Sequence, residues 1–247
     1  MTVLVVGATG NTGRPLVEQL LEKNYKVRVI VRSPSKLPAA VLENPNLMVT
    51  EASLLELTDE EMTEHVNGCD AVVSCLGHVI NFRGLFGKPR KLCTDAVRRL
   101  CNAIEENQSS TPTKFILMNT VAVKNPDLNE KRTLVESGLL MFYRQVLPPA
   151  GDNESAARYL YKTVGKGSNH IEWCCVRPDT LTNTEFCPYK ISESPASSVF
   201  SGLPTARSNV AHFMTELVGD EELWSRWKFR MPVIVNSMSG SQQRSQA

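Results

Sequence analysis

A chain of 247 residues suits one large α/β domain or two small ones. Its net charge of +1 gives no broad field to attract nucleic acid or an anionic membrane surface, and no apolar run approaches the length of a bilayer span. Seven cysteines without Cys-x-x-Cys spacing and four scattered histidines form no metal signature, so the cysteines are expected as free thiols in a reducing compartment, by default the cytoplasm.

The first half alternates strand and helix. The apolar run from residue 3 stops at Gly7 and reads as a first strand, residues 2–7. A helix follows over 13–23, with Leu16, Val17, Leu20 and Leu21 at helical spacing, then a β-branched strand over 26–31. A short helix is expected after Pro34 and a third strand over 47–50. Thr58 and Glu61 form a capping box for the next helix, which Gly68 stops. A fourth strand (70–77), a long amphipathic helix (90–107) and a fifth strand (114–119) complete the series. Continuous apolar strands separated by helices imply a Rossmann-type α/β fold. That is a doubly wound parallel sheet of about seven strands with helices on both faces, in an order beginning 3-2-1-4-5.

The second half is less regular. Helices are expected over 133–147, ended by Pro148 and Pro149, and over 152–166, closed near Gly165 or Gly167. A sixth strand fits 171–176, with the Cys174–Cys175 pair facing a core, and ends at Arg177-Pro178. Residues 179–206, rich in Ser, Thr and Pro, form a small C-terminal substrate lobe with a strand near 189–193. A late helix capped by Ser208 or Asn209 and a last strand over 232–236 follow. The domain is thus read as residues 1–236, with a disordered polar tail over 237–247.

Gly7, Gly10 and Gly13 stand directly after a strand and at the mouth of a helix. In that context the glycines serve a tight turn, close approach of the backbone to a pyrophosphate, and helix–strand packing. The helix N-terminus adds free N–H groups, and Asn11 and Thr12 add side-chain donors. Where NAD binders place a carboxylate for the ribose hydroxyls, this chain has Arg32, Ser33 and Lys36, with no acid before Glu43. A guanidinium, a hydroxyl and an ammonium suit a 2′-phosphate, so the expected cofactor is NADP(H).

With "GATGNTG", "VRSPSK", "DAVVSCLG" and "WCCVRPDTLTN" in place, the chain resembles the atypical short-chain dehydrogenase/reductases over roughly residues 2–236. Within these it is most similar to the NmrA-like, NAD(P)H-binding branch that includes flavin and biliverdin reductase-like proteins. The resemblance implies a substrate pocket between the carboxyl edge of the sheet and the C-terminal lobe. It assigns Gly7, Thr9, Gly10, Asn11, Thr12 and Gly13 to the phosphate turn and Arg32 and Ser33 to the 2′-phosphate. By the same resemblance Cys75, Leu76 and Gly77 line the ribose, Asn119 and Thr120 lie beside the nicotinamide, and Arg177 and Pro178 cover its amide.

Two departures matter. The Gly-Asp pair often found after strand three is replaced by "VTEASLLEL", leaving Ser53 and Leu54 to meet the adenine. No tyrosine has a lysine four residues on, so the Tyr-x-x-x-Lys proton-transfer pair is missing. The remaining candidates are Thr120, whose hydroxyl suits a substrate carbonyl, and Tyr143, for which a core position competes. His78 is expected in a surface loop, with a position facing the cofactor as the alternative; Asp152 is expected to cap its own helix. "NFRGLFGKPRK" is read as solvated charge at a helix start, or as a flap. Two functions follow: an NADPH-dependent reductase of a small planar or carbonyl acceptor, or a non-catalytic NADP(H)-binding redox sensor with a protein partner.

Overall fold

The computed structural model of the chain describes residues 1–78, 89–128, 130, 133, 136, 138–139, 148–196, 198, 200 and 202–237. The strands β1 (Thr2–Val6), β2 (Lys26–Val31), β3 (Leu47–Glu51), β4 (Ala71–Ser74), β5 (Thr113–Met118) and β6 (Ile171–Pro178) are parallel, and they sit in the sheet in the order β3-β2-β1-β4-β5-β6. The apolar runs predict this. Val3, Leu4 and Val5, like Ala71, Val72 and Val73, are wholly buried because both faces of the sheet are covered.

The period of two then divides the core. Val3 and Val5 pack with helices α1 (Gly13–Glu22), α2 (Ala39–Leu42) and α6 (Arg207–Gly219). Leu4 and Val6 pack with α3 (Asp59–Val66), α4 (Leu92–Asn107) and α5 (Pro148–Arg158). Cys174 and Cys175 point to opposite faces, one into each cluster, and all seven cysteines are free thiols. Among the described residues no helix is long and apolar enough to cross a membrane.

Local signals set several boundaries. Thr58 Oγ1 accepts from the Glu61 N–H (3.1 Å) and the Glu61 carboxylate accepts from the Thr58 N–H (2.7 Å), the reciprocal box read from the sequence. Gly68 follows at φ +70°. The far side of the sheet departs from expectation. Strands β10 (Val233–Asn236) and β8 (Tyr189–Ser192) extend it to eight strands, β8 antiparallel at the edge. The strand expected within the lobe therefore belongs to the central sheet. The pair β7 (Thr180–Thr182) and β9 (Pro204–Ala206) forms a separate two-stranded sheet.

Pro148 and Pro149 open α5, since a proline is tolerated in a first turn where its missing N–H has no intrahelical partner. The helix passes into a π-helical stretch, Tyr159–Val164, closed by Gly165 at φ 65°. Ala206, not Ser208 or Asn209, precedes α6; the Asn209 amide instead bonds the Cys187 N–H and the Asn236 side chain. A further helix, α7 (Glu221–Trp227), is capped by Asp220, which accepts from the Leu223 N–H at 2.9 Å. Most of the helix expected over 133–147, most of the 81–91 stretch, and the tail after Ser237 lie outside the described residues.

Candidate cofactor and active site

The glycine turn is built from close backbone approaches. Gly7 has φ +80°, and a Cβ on it would lie 2.6 Å from the Cys75 carbonyl carbon and oxygen and 2.8 Å from the Leu76 nitrogen. The loop after β4 thus crosses directly over the first glycine, which brings Cys75 and Leu76 to the turn. A Cβ on Gly13 would lie 2.2 Å from the Gly7 carbonyl oxygen, so α1 can seat on β1 only with glycine there. Gly10 donates its N–H to the Gly7 carbonyl (3.0 Å) and accepts from Arg14 (2.9 Å), leaving a bare backbone face. Thr12 precedes α1 without making a side-chain cap, and the first turn of the helix holds no acid. An anion suits this terminus. Thr9 and the exposed Asn11 lie on the same turn. These residues fit a dinucleotide pyrophosphate.

Arg32 follows β2 directly and is exposed, Ser33 is half-buried, and Lys36 is exposed on a short 3-10 turn, Pro34–Lys36. Register brings an acid that the linear reading missed: Glu51, the last residue of β3, pairs with Val31 and is also exposed. Ser53 is half-buried beyond it. Leu54 is packed in the core, and its carbonyl accepts from the Arg99 guanidinium at 3.2 Å. The Leu54 side chain is therefore committed inward, which leaves its backbone and the Ser53 hydroxyl as the groups for adenine contact.

The carboxyl ends of β4 and β5 carry a polar node. Asn119 donates from Nδ2 to the Asn153 carbonyl (2.9 Å) and accepts from the Thr120 N–H (2.9 Å), pinning α5 to the end of β5. Thr120 is half-buried there, with Oγ1 accepting from the Ala122 N–H at 3.3 Å. His78 is not a surface residue: its side chain is 6% exposed, and Nε2 lies 2.8 Å from Oδ2 of Asp152, itself 1% exposed. Asp152 also accepts from the Cys93 N–H (2.8 Å), the Thr94 N–H (2.9 Å) and Thr94 Oγ1 (2.6 Å). It is an N-cap, as its chemistry suggested, but of α4 rather than of its own helix. Burial alone would raise the Asp152 pKa; the hydrogen bonds from Thr94, His78 and Cys93 outweigh it and hold the carboxyl below its ordinary value. Tyr143 lies outside the described residues.

A family model described as NAD(P)H-binding matches residues 7–221. The chain belongs to the NAD(P)H-binding family. An uncharacterised chloroplastic protein of Arabidopsis thaliana is 25% identical over 220 residues, 89% of this chain and 72% of that protein. The chloroplastic divinyl chlorophyllide a 8-vinyl-reductase of the same plant is 23% identical over 167 residues, 64% of this chain and 37% of that protein. Among solved structures, the oxidoreductase ylbE of Lactococcus lactis has TM-score 0.69 at 19% identity, covering 100% of this chain and 96% of the other. A short-chain dehydrogenase/reductase of Veillonella parvula in complex with NADP has TM-score 0.65 at 13% identity, covering 95% and 94%. At these identities the structures share the fold with this NAD(P)H-binding protein.

One expected contact is overturned. Arg177 lies within β6, its side chain wholly buried and paired with Glu130 at 2.8 Å. Its Nε donates to the Met231 carbonyl (2.8 Å), and its terminal nitrogens donate to those of Val123 (2.8 Å) and Glu193 (3.0 Å). The guanidinium is an internal strut of the NAD(P)H-binding protein and does not cover a nicotinamide. Pro178 ends the strand, with its carbonyl accepting from the Val121 N–H at 3.0 Å. A cavity of about 400 Å³ lies beside this strut, lined by Asp127, Lys166, Glu193, Trp227 and Phe229 among others, and takes no residue from the glycine turn.

The turn makes a stability prediction. Gly7→Ala should cost about 1–3 kcal/mol for its backbone conformation alone, plus the clash with Cys75. Gly68→Ala, at φ +70° with nothing within 4 Å, carries only the first cost. Thermal melts of the two variants should therefore separate; equal losses would mean that the loop over Gly7 yields freely.

Proposed function

We propose that this protein is an NADPH-dependent reductase that passes hydride to a small planar or carbonyl acceptor, such as a flavin or quinone. The observation that carries the reading is Arg32, exposed at the end of β2 where an NAD binder places its carboxylate. Ser33 and Lys36 add a hydroxyl and a second cation, so the ribose end of the site suits a phosphate dianion. The glycine turn and the α1 terminus hold the pyrophosphate, and Cys75–Gly77 border the ribose. NADPH, when bound, supplies the hydride; the chain orients it over the ends of β4 and β5 and bounds the acceptor site with Thr120. The Arabidopsis vinyl-reductase and the NADP complex of the Veillonella protein support the same reading. The free thiols fit a reducing compartment such as the cytoplasm.

Titration of the purified chain with NADPH and NADH by nucleotide fluorescence tests the cofactor. NADPH should bind at least about tenfold tighter, the worth of one charge-assisted hydrogen bond. Equal or tighter NADH binding overturns the assignment. The absence of a Tyr-x-x-x-Lys pair favours a second reading, a non-catalytic NADP(H)-binding regulator with a protein partner. Tight NADPH binding with no oxidation against a broad panel of flavins, quinones and carbonyls selects it.

A further inference from the structure

We propose that His78 is the proton donor of the reduction and that Asp152 is its positioning partner. The inference rests on the reductase reading above and fills the place that the missing Tyr-x-x-x-Lys pair leaves.

The location comes from the backbone. His78 directly follows the Cys75–Gly77 loop, which lies against the glycine turn. Asp152 sits one residue before Asn153, whose carbonyl is held by Asn119 at the end of β5. The His–Asp pair is therefore suspended between the carboxyl ends of β4 and β5. In an open parallel sheet, ligands lie across these ends.

The electrostatics follow from the partners. Asp152 receives two backbone N–H groups and the Thr94 hydroxyl at the start of α4, besides His78. A carboxylate so surrounded stays ionised, and opposite an imidazole it fixes the ring's orientation. Cys93 is the third group of the cluster, its Sγ within 4.8 Å of the other two ligand atoms. Burial, first, and then Asp152 push its thiol far above the ordinary range, so it stays neutral. A protonated thiol and a carboxylate already occupied by N–H donors make a poor cation site. The cluster suits a proton, not a metal.

The step balances without a further reagent. The acceptor carbonyl takes the hydride and its electron pair at carbon, and its π pair moves to oxygen. A ring N–H bond of the His78 imidazolium breaks as the new O–H bond forms. Asp152 remains ionised throughout, and the neutral imidazole regains a proton from water.

The test uses the full chain with 9,10-phenanthrenequinone as acceptor, following NADPH oxidation and, separately, NADPH affinity. His78→Gln should lower kcat by about 100-fold or more, the usual worth of a general acid, with NADPH affinity within about threefold. Asp152→Asn loses the charge and one of the two oxygens that accept N–H groups from α4; a melt run beside the kinetics separates lost folding from lost catalysis, and kcat of the folded variant should fall at least about tenfold with KM little changed. Added imidazole should restore part of the activity of His78→Gly. Wild-type turnover with His78→Gln or Asp152→Asn equally active overturns the dyad and leaves the reductase reading standing. A wild-type chain that binds NADPH but reduces nothing, across the wider acceptor panel as well, overturns both.

Discussion

Arg32→Asp should raise the NADPH dissociation constant by about 100-fold and leave that of NADH within about threefold. Loss of a charge-assisted hydrogen bond costs about 1.5–3 kcal/mol, which is about 10–100-fold in affinity; a carboxylate in its place adds repulsion toward the phosphate. Arg32 is exposed, so part of its contribution is screened and the effect should shrink as salt is raised. Glu51, in register with Val31, sharpens the expectation. With Arg32 present, the β2 edge carries cations opposing one acid; after the substitution it would carry two acids close together. The measurement is paired titration of both nucleotides at fixed ionic strength. Equal weakening of NADPH and NADH would place Arg32 on the adenine or the fold rather than on the 2′-phosphate.

The half of the molecule that carries the glycine turn is legible from its sequence because its determinants are local. The β-branched runs fix strands buried on both faces, and the leucine spacing of residues 16–21 fixes the face of α1. The glycines are needed where Cβ atoms would strike Cys75 and Gly7. The other half depends on partners far apart in the chain. His78 meets Asp152 across 74 positions, and no periodicity reports such a meeting. The chemistry of Asp152 is readable as that of a helix cap, but which helix it caps is decided by the packing of α4 on α5. Helix α7 does leave a signal: Asp220, then Glu221 and Glu222, with Trp224 and Trp227 one turn apart. Arg177-Pro178 reads locally as a strand end and a turn. It becomes strand because β10, more than fifty residues later, pairs with it.

That pairing makes Arg177→Met the substitution with the largest expected effect on stability. The wild-type guanidinium neutralises Glu130, whose side chain is 3% exposed, and donates to three backbone carbonyls from separate segments. Methionine fills much of the volume but removes the Arg177 charge from a buried carboxylate. Breaking a buried pair from one side costs about 3–5 kcal/mol. For a chain of this size each kcal/mol shifts Tm by about 2–4 °C, so the loss should be about 6–20 °C. Adding Glu130→Gln should recover part of it, because the buried negative charge is then gone while the Asn125 N–H keeps an acceptor. The folded fraction of Arg177→Met should bind NADPH within about threefold of wild type, since its cost falls on folding and not on the dinucleotide site. A variant that melted like the wild type but lost NADPH affinity would instead return Arg177 to the nicotinamide. The strut and the ligand contact thus predict opposite changes in the same two measurements, a melt and a titration.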